Sequence, residues 1–214
     1  MKKNKHLLVE GKDDFNVVLA IAKKKNIPQT FDIIDTEGYE NLRKGLATRL
    51  RNSGLDVLGV IADADLDVTA RWQSLKAIFE NTEFGYNLPP TPQYGGIVVE
   101  HPDMENTIFP QKIGLWLMPD NKMTGMLEDF LKMIVQNNDV LMLFAKESVG
   151  NVQSNVAETI RFSNIHQSKA LMHTWLAFQT EPGKPFGQAF TSNYFDKNAE
   201  LVTLFADWLT RLFI

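Results

Sequence analysis

Short apolar blocks and longer amphipathic ones alternate through the first eighty residues. His6–Glu10 predicts a short buried strand. From Asp13 to Lys25, Phe15, Val18, Leu19 and Ala22 recur at i, i+3, i+4 and i+7, the period of a helix with one buried face. Ile27-Pro28-Gln29 ends it. Thr30–Asp35 predicts a second strand. Glu40–Asn52 predicts a second helix, with Leu42, Leu46 and Leu50 four apart and Ser53-Gly54 closing it. Val57–Ala62 is apolar throughout, as a strand covered on both faces must be. Thr69–Asn81 predicts a third helix. This alternation predicts a parallel sheet with helices on both faces.

Beyond residue 80 the pattern changes. Phe84–Gly96 is rich in proline and glycine and predicts a loop. Ile97–Glu100 and Ile113–Met118 predict strands. Met126–Ala145 predicts one long helix, and the last third reads as helical. Near the end, Leu201, Leu204, Phe205, Trp208 and Leu212 form a stripe at helical spacing, expected to be core. Trp175 and Phe178 are expected to be core as well. No linker or repeat interrupts residues 1–214. The chain therefore reads as one α/β domain, with a core over about 5–120 and a helical addition over about 121–214.

Composition narrows the class. In 214 residues 44% are apolar, enough for a substantial core, yet no run reaches the length of a membrane span. The first residues lack a signal-peptide pattern. There is no cysteine, which excludes disulfides and cysteine-ligated zinc and suits a cytoplasmic protein. The net charge of −4 argues against coating nucleic acid by bulk charge. It is unevenly spread: residues 1–51 hold 11 Lys/Arg against 7 Asp/Glu. The basic side chains there, Lys23, Lys24, Lys25, Arg43, Lys44, Arg49 and Arg51, would either flank an anionic ligand or lie on solvated helix faces.

Acids appear where apolar strands stop. Glu10 ends the first strand, followed by Gly11, Lys12, Asp13 and Asp14; Asp63, Asp65 and Asp67 end the third. In an open parallel sheet, ligands sit beyond the carboxyl ends of the strands. Strand alternation would place Asp63 and Asp65 on one side, near Glu10. Like charges gathered there call for a cation, and oxygen-only ligands favour Mg²⁺ or Mn²⁺. Gly11 would permit a tight turn and close approach of a phosphate. Helix capping is the competing role for Asp13, Asp14 and Asp67. Asp120 reads as a turn residue. His101, His166 and His173 match no zinc motif and read as structural.

The ordered pair "EGKDD" and "DAD" resembles the Toprim superfamily over about residues 5–80. The resemblance implies a Toprim-like fold, with Glu10 as general acid or base, Asp63 and Asp65 on Mg²⁺, and Asp14 as the motif's last acid. The stretches "GLWLMPDNKMTGMLEDFL" and "SKALMHTWLAFQTEPGKPFGQAF" look like a small bacterial family of unknown function grouped with the Toprim-like proteins. The order is also similar to that of the overcoming-lysogenization-defect (OLD) nucleases. By that likeness Glu128, with Asp129, would be a second acidic motif and Lys169 a catalytic lysine. Acids in the first turn of a helix also favour its dipole, and Lys169 also reads as a surface lysine. A cysteine zinc ribbon is absent, and there is no room for the tyrosine-bearing domain of a topoisomerase.

The expectation is a Mg²⁺-dependent nuclease acting on DNA or RNA. Two alternatives stand beside it: an aspartyl-phosphate phosphotransfer domain, and a metal-, nucleotide- or partner-binding module without catalysis.

Overall fold

A computed structural model describes residues 4–103, 105, 108–155 and 162–214. The expected helical character of the last third extends over 156–161, which lie outside the described residues. Five strands form one sheet: β1 (Lys5–Val9), β2 (Asp32–Asp35), β3 (Val57–Asp63), β4 (Ile97–Glu100) and β5 (Lys112–Met118). Their order is β2-β1-β3-β5-β4. β2, β1, β3 and β5 run parallel, and β4 closes the edge antiparallel to β5. The fold is thus α/β, with a mostly parallel sheet flanked by helices, as the alternation predicts.

The helices are α1 (Lys12–Lys24), α2 (Tyr39–Leu50), α3 (Val68–Phe79), α4 (Leu127–Met133), α5 (Val140–Asn155), α6 (Gln167–Ala177), α7 (Phe186–Thr191) and α8 (Glu200–Phe213). One face of the sheet is covered by α2 and α3. Leu42, Leu46 and Leu50 pack there with Trp72, Leu75 and Phe79. The other face is covered by α1 and by α4 to α8, in one apolar cluster running from Leu7 to Phe213. Residues 121–214 are therefore built into the core rather than appended to it. No helix among the described residues is long and apolar enough to cross a membrane.

Three local expectations need correction. The long helix over Met126–Ala145 is two helices. Asn138 adopts φ +64°, and the Asp139 carboxylate accepts the Met142 N–H, so one helix stops and a second is capped. The intervening segment is used, since Val135 bridges to Phe195. On α1 the buried stripe is also rotated: Asp14, Val17, Val18 and Ile21 are buried, while Phe15 and Leu19 are only partly so. An acid therefore heads the stripe that faces the core. Phe178, expected in the core, is 42% exposed, whereas Trp175 is fully buried.

Glycine sets how closely α8 approaches. A Cβ on Gly114 would lie 2.7 Å from Leu212 Cδ2, and one on Gly59 would meet Leu7 and Leu212 at 2.7 and 2.8 Å. Trp208 anchors the same helix by donating its indole N–H to the Ile97 carbonyl at 2.8 Å. Gly114→Val should overpack this contact and lower stability by about 1–3 kcal/mol. Urea unfolding checks it, and Leu212→Ala in the same chain should recover part of the loss.

Candidate functional site

The strand order reverses direction between β1 and β3. The chain leaves β1 toward β2 on one side and leaves β3 toward β5 on the other. Helices diverge at such a point and leave a crevice beyond the carboxyl ends of the strands. Glu10 follows the last residue of β1, and Asp63 is the last residue of β3. Glu10 Oε1 accepts the Asp63 N–H at 2.8 Å, so the two strand ends are tied through an acid. Asp63 Oδ1 accepts the Leu127 N–H at 3.0 Å, which brings the first turn of α4 onto the same point. The next residue is Glu128, whose side chain is buried.

Asp14 completes the group from the first turn of α1 and is buried. Desolvation, opposed by the Asp63 amide and Arg71, pushes Glu10 up to about 7. Burial and then the Glu10 charge push Asp14 up to about 7, with Glu128 adding to the rise and backbone amides of Asp14 and Gly11 opposing it. Asp63 is held well above the usual carboxylate range by burial and by the charges of Asp14, Glu10, Glu128 and Asp65. Glu10, Asp14, Asp63 and Glu128 therefore gather into one electrostatically coupled group, on which the Asp65 charge also acts at Glu10 and Asp63. Lys169, near the start of α6, reaches it from outside, its ammonium 3.5 Å from Glu128 Oε1.

Other expected site residues stand apart. Asp65 lies beyond β3 rather than on it, with φ +51°, and exchanges two backbone hydrogen bonds with Gly125. Strand alternation does not orient it, and its carboxylate pairs with Arg71. Asp129 caps its own helix. It accepts the Met126 N–H, the Lys132 ammonium at 2.6 Å and the Ser168 hydroxyl at 2.5 Å. Burial opposes its ionisation, yet those donors hold its carboxyl below the usual range. Gly11 has extended backbone at φ −149°, and a Cβ there would meet only Asp14 Oδ2 at 3.6 Å. Nothing in its conformation demands glycine. Asp67 caps α3 through the Ala70 N–H, and Asp120 makes its turn through the Lys122 and Met123 amides. Asp13 makes no side-chain cap.

The sequence reading missed Arg71. Its guanidinium pairs with Asp65, lies over the Tyr39 ring at 3.4 Å and acts electrostatically on Glu10. Only its place six residues after Asp65, in the first turn of α3, hinted at this.

Among the described residues, no three His, Asp or Glu side chains are arranged to hold an ion as they stand. One oxygen each of Glu10 and Asp63 is engaged by a backbone amide. The donor chemistry nevertheless suits a hard divalent cation. The four carboxylates supply only oxygen, and the burial and mutual repulsion that raise Glu10, Asp14 and Asp63 would be relieved by positive charge.

These raised values fix the sign of a pH effect. The folded chain holds protons on Glu10 and Asp14 up to about pH 7, whereas the unfolded chain releases them near pH 4. Their contribution to stability is present below the unfolded value and is lost as pH rises toward 7. In chelator, Tm should fall across that window, and the fall should be shallower in Glu10→Gln, which cannot ionise. Equal slopes in the two proteins would remove Glu10 from the coupled group.

No curated protein matches the chain significantly, and no solved structure does so. A family model described as "Protein of unknown function (DUF3226)" matches residues 4–214, so the chain belongs to that family.

Proposed function

We propose that this protein is a Toprim-like, Mg²⁺- or Mn²⁺-dependent nuclease that hydrolyses phosphodiester bonds in DNA or RNA. The observation that carries the reading is the coupling of Glu10, Asp14, Asp63 and Glu128 at the switch point of the sheet. Glu10, Asp14 and Asp63, raised first by burial and then by neighbouring acids, are a poor choice for stability alone, and such perturbation concentrates at functional sites. The order of these acids in the chain is the order that the Toprim resemblance implies.

In this reading Asp63, with Glu10, Asp14 and Glu128 around it, would hold the ion. When bound, the ion supplies Lewis-acid polarisation of a phosphoryl oxygen. Glu10 moves a proton at the reacting oxygen, to or from water or the leaving group. Its longer side chain and its seat at the end of β1 suit that role. Lys169 stays outside the coupled acids, half exposed beside Glu128, where an ammonium can meet a phosphate oxygen.

A non-catalytic metal-binding module is the second reading. The engagement of Glu10 Oε1 by the Asp63 amide favours it, because a group so held is less free to shuttle a proton. Single- and double-stranded DNA and RNA, incubated with Mg²⁺, Mn²⁺ or chelator, separate the readings. Metal-dependent cleavage by the wild type is expected, reduced about 10²–10⁴-fold in Glu10→Gln. Mn²⁺ binding without cleavage of any form would favour the module. Covalent phosphate trapped on Asp63 from a phosphoryl donor would instead indicate phosphotransfer.

Nucleic-acid affinity should draw on the basic first third. Arg51 is committed to Glu83 through two bonds of 2.6 and 2.7 Å, and Lys24 and Lys25 reach Asn193 and Thr203. Arg43, Lys44 and Arg49 on α2 are the better candidates. Reversing these three to Glu should lower affinity and flatten log K against log salt. An unchanged slope would place the phosphate contacts elsewhere.

A further inference from the structure

We propose that Asp65 holds Arg71 as a fixed internal cation of the acidic site and is not itself a metal ligand. The proposal rests on the metal-dependent reading above and divides its acids into two jobs. The spacing D-x-D treats Asp63 and Asp65 as equivalent, but the fold does not. Asp63 ends β3 inside the coupled group. Asp65 sits after it in left-handed backbone, locked in both directions to Gly125 by bonds of 2.9 and 2.8 Å.

Arg71 is held by two groups. Asp65 takes Nη2 of the guanidinium, and the plane of the guanidinium lies over the Tyr39 ring. Tyr39 is itself fixed, its hydroxyl donating to Ser74 Oγ at 2.9 Å. The Arg71 side chain is only 11% exposed. These groups, with Ile165, line a cavity of about 460 Å³. The charge is felt at Glu10, where it opposes the effect of burial.

Recruiting Asp65 to an ion would strip a nearly buried guanidinium of its carboxylate, which is strongly unfavourable. The remaining acids carry no such commitment. Among the described residues Glu10, Asp14 and Asp63 have no cation within ion-pair distance, and Glu128 has Lys169 at 3.5 Å. Arg71 is accordingly a positioning residue. It offsets part of the repulsion around Glu10 and keeps the loop after β3 in place.

Mn²⁺ calorimetry on charge-matched variants tests this. Asp63→Asn should weaken binding about tenfold or more, because a charged ligand is lost. Asp65→Asn combined with Arg71→Gln replaces one neutral pair by another and should stay within about threefold of wild type. Arg71→Gln alone should tighten Mn²⁺ binding by removing a nearby positive charge, whereas Arg71→Lys should not. A double variant as weak as Asp63→Asn would overturn the proposal and make Asp65 a ligand. If the double variant fails to fold, Arg71→Gln and Arg71→Lys with equal Mn²⁺ affinity would overturn the role given to Arg71. A wild type that binds no Mn²⁺ would defeat the metal reading on its own. Thermal unfolding of the single and double variants then decides the pair: coupled effects support it and additive effects overturn it.

Discussion

Mutual repulsion among carboxylates withdrawn from water is the constraint around which this structure is organised. Glu10, Asp14, Asp63 and Glu128 come from β1, α1, β3 and α4, so four elements must meet for the repulsion to exist at all. Folding brings them together against that repulsion, and the rest of the chain supplies the compensation. The Asp63 and Leu127 amides each donate to a carboxylate, Arg71 stands beside Glu10 and Lys169 beside Glu128. Raised pKa values record how incomplete this compensation is. Part of the group is kept protonated near neutrality, first because burial disfavours the charged form and then because the charges repel one another.

Packing around the site explains how the repulsion is tolerated. The helices of the last third do not decorate the sheet; they close its second face. α8 lies so near β3 and β5 that glycine is needed at 59 and 114, and its Phe205 and Trp208 meet Trp116 from β5 edge-on and tilted. Phe31 from the loop before β2 stacks on Phe213 at 4.0 Å, tying the end of α8 to the opposite side of the sheet. A core continuous from β1 to α8 holds the strand ends in register, and the acids inherit positions they would not choose by themselves. α4 belongs to this frame as well: it enters through Leu127 and Phe130 in the core and presents Glu128 beside them.

The parallel sheet of β1 to β3 and the helices on both its faces were legible because each strand is a short apolar run and each early helix keeps its period; the antiparallel direction of β4 was not. Glu10 and Asp63 were singled out because an acid at the end of a buried segment is anomalous, and Glu128 through the likeness to the OLD nucleases; the structure brings the three together. What was lost depended on backbone geometry that composition does not report. Asn138 in left-handed backbone breaks a pattern that looks like one helix, and Asp65 in left-handed backbone leaves a strand whose alternation would otherwise place it with Asp63. Gly11 misled in the other direction, since its extended conformation suits any residue. Asp14 was named as the motif's last acid, but its burial at the head of the stripe with Val17, Val18 and Ile21 was not foreseen, because a search for apolar stripes passes over an acid heading one.

The two aspartates of "DAD" show how one spacing can carry two kinds of chemistry. Asp63 stays on the strand, so its environment is set by neighbouring strands and by α4, all of which bring negative charge or backbone amides. Asp65 is turned by two bonds to Gly125 and is set by α3, which brings an arginine. Two residues of separation thus decide whether a carboxylate lies buried among the acids or is paired with a guanidinium, although the Asp65 charge still acts on Glu10 and Asp63. Asp67, two further on, does neither and caps the helix that carries that arginine. The three acids are graded along the chain, from the coupled site to its counter-charge to the helix start. A charge change at any one of them therefore acts on a different part of the same machinery.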